Sequence, residues 1–113
     1  METHVEKVGD VQVVSLRGRL DLSATPKFQE FLLQLIAQGE HHILLDCKDL
    51  KYVSSSGLGT FVAVGKRCGN DGKLVFASLS PNIRQVFELV HFDRFFDIYP
   101  DRNEALAQMG ASS

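Results

Sequence analysis

The chain has no tryptophan and only two cysteines, Cys47 and Cys68, in 113 residues. Two cysteines without a metal-ligand spacing provide neither a disulfide framework nor a metal site, so we expect two reduced packing residues. The four histidines are not spaced as metal ligands either. The sequence therefore predicts neither a bound metal nor a cofactor.

An excess of charge of one sign is also missing. The formal net charge is −2, and Lys66-Arg67 is the only adjacent basic pair, which argues against binding to nucleic acid. No apolar run reaches the roughly 18 residues that a membrane span needs. The first residues, Met1–His4, lack the basic and apolar regions of a signal peptide. We expect a cytoplasmic protein that binds no membrane.

The composition is that of a globular protein, with 44% hydrophobic and 23% charged residues. A chain of 113 residues is long enough for one domain with its own core, over residues 1–113. Residues 110–113 are small and polar, which predicts a frayed tail. No surplus of apolar residues calls for a second copy, so we expect a monomer.

Strand and helix patterns alternate along the chain. Five strands are predicted at residues 4–8, 11–17, 42–47, 74–77 and 96–99. Four helices follow capping residues, at Thr25, Ser54–Ser56, Ser80 and Asp101. Gly9-Asp10 indicates a hairpin between the first two strands, and Gly18–Asp21 is expected to end the second. The order β-β-α-β-α-β-α-β-α predicts a single-domain α/β fold, whose mixed, mostly parallel sheet has an initial antiparallel hairpin.

The apolar spacing of each helix predicts its buried face. In the second helix the expected buried stripe is Leu58, Phe61, Val62 and Gly65. The third helix carries a comparable stripe from Ile83 to Val90.

Three consecutive hydroxyls, Ser54, Ser55 and Ser56, precede Gly57-Leu58-Gly59 where the second helix should begin. A helix start offers free N–H groups and the positive end of the helix dipole. It can hold a phosphate or carry a serine that becomes phosphorylated, although one serine at such a place would be an ordinary cap. Asp21 also follows a strand and is expected on the same rim of the sheet.

The motifs of common enzymes are incomplete in this chain. Val62 stands where a dinucleotide fingerprint needs a third small residue, and Gly65–Arg67 does not complete a P-loop. The serines lack the flanking glycines of a hydrolase elbow. Asp46 and Asp49 fit turn-stabilising carboxylates better than acid–base catalysts. We therefore expect a binding protein and not an enzyme.

The order of several segments resembles the STAS family, the sulphate transporter and anti-sigma factor antagonist domain, and in particular its single-domain bacterial antagonists. The matching segments are Gly18–Asp21, Leu45-Asp46, Ser55–Gly59, Gly72–Leu74, Ser80-Pro81, Phe96–Tyr99 and Glu104–Leu106. The resemblance covers nearly the whole chain. It implies a mixed sheet backed by helices and a protein that binds an anti-sigma factor.

In that family the anti-sigma factor is also a serine kinase of the histidine-kinase-like ATPase superfamily. It phosphorylates the antagonist at a helix start, and a metal-dependent serine phosphatase reverses the change. The resemblance implies Ser55 as the acceptor, with Ser56 and Ser54 as alternatives. Ser54 departs from the family, which often has Asp there. The implied partner-binding residues are Asp21, Ser54, Ser55, Ser56, Gly57, Leu58 and Gly59.

Two other functions remain compatible with the sequence. The domain could be a scaffold or ligand-sensing module that is never phosphorylated, for which the departure at Ser54 is the main support. It could also be a small enzyme that holds a phosphorylated substrate at the start of the second helix. The absence of a convincing base or metal set argues against this last function.

Overall fold

The computed structural model describes residues 1–111, which form one five-stranded sheet and four α-helices. The strands are β1 (Glu2–Val8), β2 (Val11–Leu20), β3 (His42–Val53), β4 (Lys73–Ala77) and β5 (Ile98–Tyr99). They lie side by side in chain order. β1 is antiparallel to β2, and the other neighbouring pairs are parallel. The predicted α/β class and the mixed sheet are confirmed.

The helices cover both faces of the sheet. They are α1 (Thr25–Ala37), α2 (Ser55–Cys68), α3 (Pro81–Leu89) and α4 (Arg102–Gln108). The first three pack against one face, where they share the main core with alternate residues of β2 to β4. α4 covers part of the other face, where Ala105 packs with Val13, Leu44 and Val75. None of the helices within residues 1–111 is long and apolar enough to cross a bilayer.

Phenylalanine rings connect the elements of the main core. The Phe61 ring of α2 lies 5.0 Å from that of Phe76 in β4 and 5.9 Å from that of Phe87 in α3, centroid to centroid. The Phe28 ring of α1 meets Phe61 edge-on at 6.2 Å. Edge-to-face contacts of this kind add to the stabilisation from burial. Phe61 therefore ties α2 to the sheet and to both neighbouring helices.

β2 and β3 both run further than their sequence patterns predict. Gly18 does not end β2; its φ of +102° and the register shifts on either side form a bulge, and pairing continues to Leu20. β3 extends from the predicted residue 47 to Val53, because its later residues still pair with β2. Those residues lie beyond the end of β4 and include exposed polar side chains, so they lack the continuous apolar pattern of a buried strand.

The first two helices also differ in detail from the predictions. α1 begins at Thr25 itself, and Ala24 holds the cap position without a side-chain hydrogen bond. In α2 the fully buried residues are Gly57, Thr60, Phe61, Val64 and Cys68. Leu58 and Val62 of the predicted stripe are half-buried and pack on the margin of the core. The predicted helical spacing is confirmed. The residues that point into the core, however, are Thr60, Val64 and Cys68 together with Phe61, and not Leu58 and Val62.

The chain after α3 contains an element that was not predicted. A 3₁₀ helix, Phe92–Arg94, precedes β5, which is shorter than the predicted strand at 96–99. α3 ends at Leu89, so Val90 of the predicted stripe lies outside it and is exposed. Short 3₁₀ turns leave no periodic signal in the sequence.

The start of the predicted frayed tail is hydrogen bonded. The N–H of Gly110 donates to Ala107 O, and the N–H of Ala111 donates to Leu106 O, which closes the C-terminus of α4. Both residues follow α4 and are hydrogen bonded to its last turn, and the frayed tail stays a prediction. Residues 112 and 113 of that prediction lie outside the described part of the chain.

Candidate functional site

The three serines lie where β3 ends and α2 begins, beside the end of β2. The Ser54 N–H donates to Leu20 O at 2.8 Å, which fixes this junction to β2. Gly57 allows α2 to start this close to the sheet: a Cβ there would lie 2.8 Å from Val53 Cγ2 and 2.9 Å from Leu20 Cδ2. A glycine is therefore needed at position 57 for packing, whatever its part in binding a partner.

A chain of hydroxyls connects α2 to the start of α1. The Thr25 hydroxyl donates to Asp21 O at 2.7 Å, so its single proton is used. Its Oγ1 lies 3.0 Å from Ser56 Oγ, which must then be the donor. By the same reasoning Ser54 donates to Ser56 across 2.8 Å, and Ser54 Oγ accepts the Gly57 N–H at 3.1 Å. The protons of Ser54 and Ser56 are both committed to this chain.

Ser55 is the serine outside this network. Its side chain is exposed, whereas Ser54 and Ser56 are half-buried. Its hydroxyl has no hydrogen-bond partner among residues 1–111. The N–H groups of Ser55 and Ser56 belong to the first turn of α2 and also have no acceptor in the described chain. An anion attached to Ser55 would therefore lie beside two free donors and the positive end of the α2 dipole.

Asp21 stabilises the start of α1. Its carboxylate accepts hydrogen bonds from Ser23 Oγ at 2.8 Å and from the Ala24 N–H at 3.0 Å. These bonds, with the Ser23 hydroxyl contributing most, lower the pKa of the Asp21 carboxyl below its usual value. Asp21 is thus ionised near neutral pH, and its carboxylate holds together the turn that leads into α1. Its predicted contact with a partner stays a prediction.

Thr25 is the residue of this site that the sequence did not identify. The pattern Thr-Pro predicted a helix cap, but Thr25 is buried, with 7% of its surface exposed, and bridges α1 to Ser56. A second bridge joins the same helices, from Thr60 Oγ1 to Gln29 Oε1 at 2.8 Å. Such contacts between distant segments carry no local signal in a sequence.

A groove between α1 and α2 adjoins the serines. It has a volume of about 710 Å³, and Ser56 lies in its wall with Thr25, Gln29, Leu33 and Arg67. Leu22, which also lines the groove, is 75% exposed. An exposed leucine beside an apolar groove is a feature of protein-binding surfaces.

The two remaining predicted partner-binding residues have different surroundings. Leu58 is half-buried and packs on the main core. Gly59 is exposed, and a Cβ there would meet nothing within 4 Å. The packing of this chain therefore does not demand glycine at position 59, and its role in binding stays a prediction.

Two histidines and one carboxylate that the sequence offered as catalytic groups lie away from the serines. His42 begins β3 at the end of the strand opposite to Ser54, and His41 precedes it. Asp46 accepts the Lys48 N–H at 3.2 Å, as a structural carboxylate does. Within residues 1–111 no group of three or more histidine, cysteine or carboxylate side chains could hold a metal ion.

Known proteins resemble this chain in sequence and in fold. The chain is 29% identical over 108 residues to BtrV of Bordetella bronchiseptica, named as a candidate anti-sigma factor antagonist; the match covers 95% of this chain and 93% of BtrV. The crystal structure of a candidate anti-sigma factor antagonist from Thermotoga maritima superposes with a TM-score of 0.89, at 22% identity, over 94% of this chain and 92% of the other.

The phosphorylated form of the Bacillus cell fate determinant SpoIIAA superposes with a TM-score of 0.76, at 22% identity, over 96% of this chain and 99% of SpoIIAA. At this level of identity the two solved structures establish the fold. A family model described as the STAS domain matches residues 2–105. The chain belongs to the STAS domain family.

Proposed function

We propose that this protein is an anti-sigma factor antagonist controlled by phosphorylation of Ser55. Unphosphorylated, it binds and sequesters an anti-sigma factor that is also a serine kinase of the histidine-kinase-like ATPase superfamily, which releases a sigma factor for transcription. The kinase transfers the γ-phosphoryl group of ATP to Ser55 Oγ: the new P–O bond replaces the bond to the departing ADP, the hydroxyl proton is released to solvent, and the complex dissociates. A metal-dependent serine phosphatase restores the hydroxyl. The protein is not an enzyme in this scheme, and the cycle runs in the cytoplasm.

The hydroxyl chain is the observation that carries the choice of Ser55. Ser54 and Ser56 each donate their hydroxyl proton to the next oxygen of the hydroxyl chain, which ends at Asp21 O. The Ser55 hydroxyl is exposed and has no hydrogen-bond partner among the described residues. A kinase can therefore reach Ser55 without breaking a hydrogen bond of the domain. Phosphorylation of Ser56 would remove its hydrogen bond to Thr25 of α1, and phosphorylation of Ser54 would remove its hydrogen bond to Ser56.

The change in charge explains how one modification could end the complex. A phosphoserine adds about −1.5 to −2 charge at neutral pH. The free N–H groups of Ser55 and Ser56 can accommodate that charge without a change of fold. A protein packed over the unmodified serine would have to bury a dianion. A hundredfold loss of affinity needs about 2.7 kcal/mol, which an unpaired buried phosphate can supply.

The groove beside Ser56 supports contact with a partner at this place. Leu22 and the apolar wall of the groove would lose water in a complex, which favours association. Because Ser55 directly precedes Ser56, which lines the groove, we expect a partner seated there to cover Ser55 as well. Binding and sensitivity to phosphorylation would then share one surface.

The test uses the kinase that co-purifies with the unphosphorylated chain from its native cell. We expect incubation with ATP to add one phosphoryl group by intact mass. Ser55→Ala should abolish the addition and leave binding intact, and Ser55→Asp should weaken binding. Ser54→Ala and Ser56→Ala are the matched controls, and both should still be labelled on Ser55.

Two results would contradict the proposal. Labelling that persists in Ser55→Ala would move the acceptor to a neighbouring serine. Labelling at Ser55 that leaves the affinity for the kinase unchanged would mean that the phosphate does not act as a switch.

A further inference from the structure

A second cavity, of about 550 Å³, lies away from the serines. The later half of α2, the start of β4 and the segment Phe92–Asp97 enclose it. Its walls are mainly apolar, from Val62, Leu74 and the rings of Phe92 and Phe96. Volumes of about 300–1,000 Å³ with apolar walls are typical of small-molecule sites.

Two features of the cavity favour binding of an apolar ligand. At Gly65 a Cβ would lie 2.9 Å from Phe96 Cε1, so a larger residue would push the Phe96 ring from its place in the wall. Phe95, in the lining, is 77% exposed. A ligand that covered this ring would remove a large apolar surface from water.

The charged groups of the cavity leave one positive charge without a partner. The lining contains Lys66, Lys73 and Asp97. Lys73 Nζ forms an ion pair with Asp97, which raises the pKa of the lysine. Lys66 has no carboxylate within 4 Å among residues 1–111. An anionic group at the mouth of the cavity would compensate Lys66.

We propose that this cavity binds a small amphipathic carboxylate, an aliphatic or aryl acid. Its apolar part packs between Val62 and the three phenylalanine rings, and its carboxylate lies beside Lys66. The site is on the half of α2 remote from Ser55, about 15 Å along the helix axis. Binding there does not depend on the phosphorylation of Ser55, so an experiment can contradict either proposal without affecting the other.

The first experiment titrates the full-length protein with decanoate and, as an uncharged control, with decanol. Two-dimensional amide NMR follows the residues that respond. We expect saturable decanoate shifts at Val62, Gly65 and Phe95, and weaker binding of decanol. Added salt should weaken the binding of decanoate and leave decanol unaffected.

Variants then measure separately how much the Lys66 charge and the shape of the cavity contribute to decanoate binding. Lys66→Gln should weaken decanoate binding about two- to fivefold, the range of an exposed ion pair. Arg67→Gln is the matched control, because Arg67 is the neighbouring cation but lines the groove between α1 and α2. Since basic residues in a last helical turn also stabilise a helix, binding and not stability is the deciding measurement. Val62→Trp should fill the cavity and abolish binding, and Phe95→Ala, at an exposed position, should weaken it in a folded protein.

Several outcomes would overturn the proposal. Decanoate that gives no saturable shifts, or shifts in the groove between α1 and α2, would exclude this cavity. Equal effects of Lys66→Gln and Arg67→Gln would exclude the assigned place of the carboxylate. Unchanged binding in both Val62→Trp and Phe95→Ala would show that the ligand lies elsewhere.

Discussion

At the scale of single residues, three chemically identical serines are distinguished by where their protons go. Each hydroxyl has one proton to donate. Those of Ser54 and Ser56 point along a chain that ends at Asp21 O through Thr25, and that of Ser55 is left for solvent. A single buried threonine thus helps to decide which serine is available for modification.

This arrangement predicts the effect of substituting Thr25. Thr25→Val keeps the volume but removes the bridge, so the hydroxyl of Ser56 loses its acceptor. We expect a loss of about 1–3 kcal/mol in the free energy of unfolding, measured with urea. Thr25→Ser keeps the hydroxyl and should cost no more than about 1 kcal/mol for the lost methyl group. Equal costs for the two variants would mean that the hydroxyl chain contributes little.

At the scale of elements, α2 connects the sheet, the serines and the remote cavity. Ser54 is its cap, with φ −81° and ψ 169°, and accepts the Gly57 N–H. A carboxylate at this position would also cap the helix and add a charge that the dipole favours. Relative to the aspartate that the family resemblance implies at this position, Ser54 keeps the cap and removes the charge, and it also supplies the first proton of the hydroxyl chain.

The cap gives a prediction for α2 itself. Ser54→Ala removes the acceptor of the Gly57 N–H and should lower the free energy of unfolding by about 0.5–2 kcal/mol. Ser55→Ala changes an exposed side chain without hydrogen bonds in the described structure and should stay within about 0.5 kcal/mol of the original. Chemical denaturation of both variants provides the comparison. A larger loss for Ser55→Ala than for Ser54→Ala would contradict the assigned roles.

At the scale of the whole molecule, the sheet separates two cores of unequal size. The larger core joins α1, α2 and α3 through phenylalanine rings, and the smaller one lies under α4. Phe61 is fully buried and contacts rings from three other elements, whereas Phe95 is 77% exposed. The stability of the fold should therefore respond very differently to changes at the two positions.

Phe61→Leu tests this difference. We expect it to lower the free energy of unfolding by about 1–3 kcal/mol, because it removes ring contacts and leaves unfilled space. Phe95→Leu is the matched control and should change stability by less than about 0.5 kcal/mol. Thermal and urea unfolding would show whether the two phenylalanines differ in this way.

The sequence predicted the elements well where a local pattern exists and less well elsewhere. The predicted caps at Ser80 and Asp101 are confirmed, since each accepts an N–H three residues later. Within the predicted serine run, the structure assigns the cap to Ser54. The sequence predicts ends for β2 and β3 that are several residues too early. The glycine of the bulge at Gly18 and the exposed polar residues late in β3 have the local pattern of a loop. Strand pairing is set by the neighbouring strand, which a local pattern does not contain.

The amino-acid order by itself determined the α/β architecture and brought the serines to a helix start, because hydrophobic periodicity and capping depend on neighbours in the chain. Only the tertiary structure decided that Thr25 of α1 meets Ser56 of α2, and so which hydroxyl stays free. It also decided where the two cavities lie. Contacts between residues 31 positions apart, such as Thr25 and Ser56, depend on how helices pack, and that geometry exists only in the folded molecule.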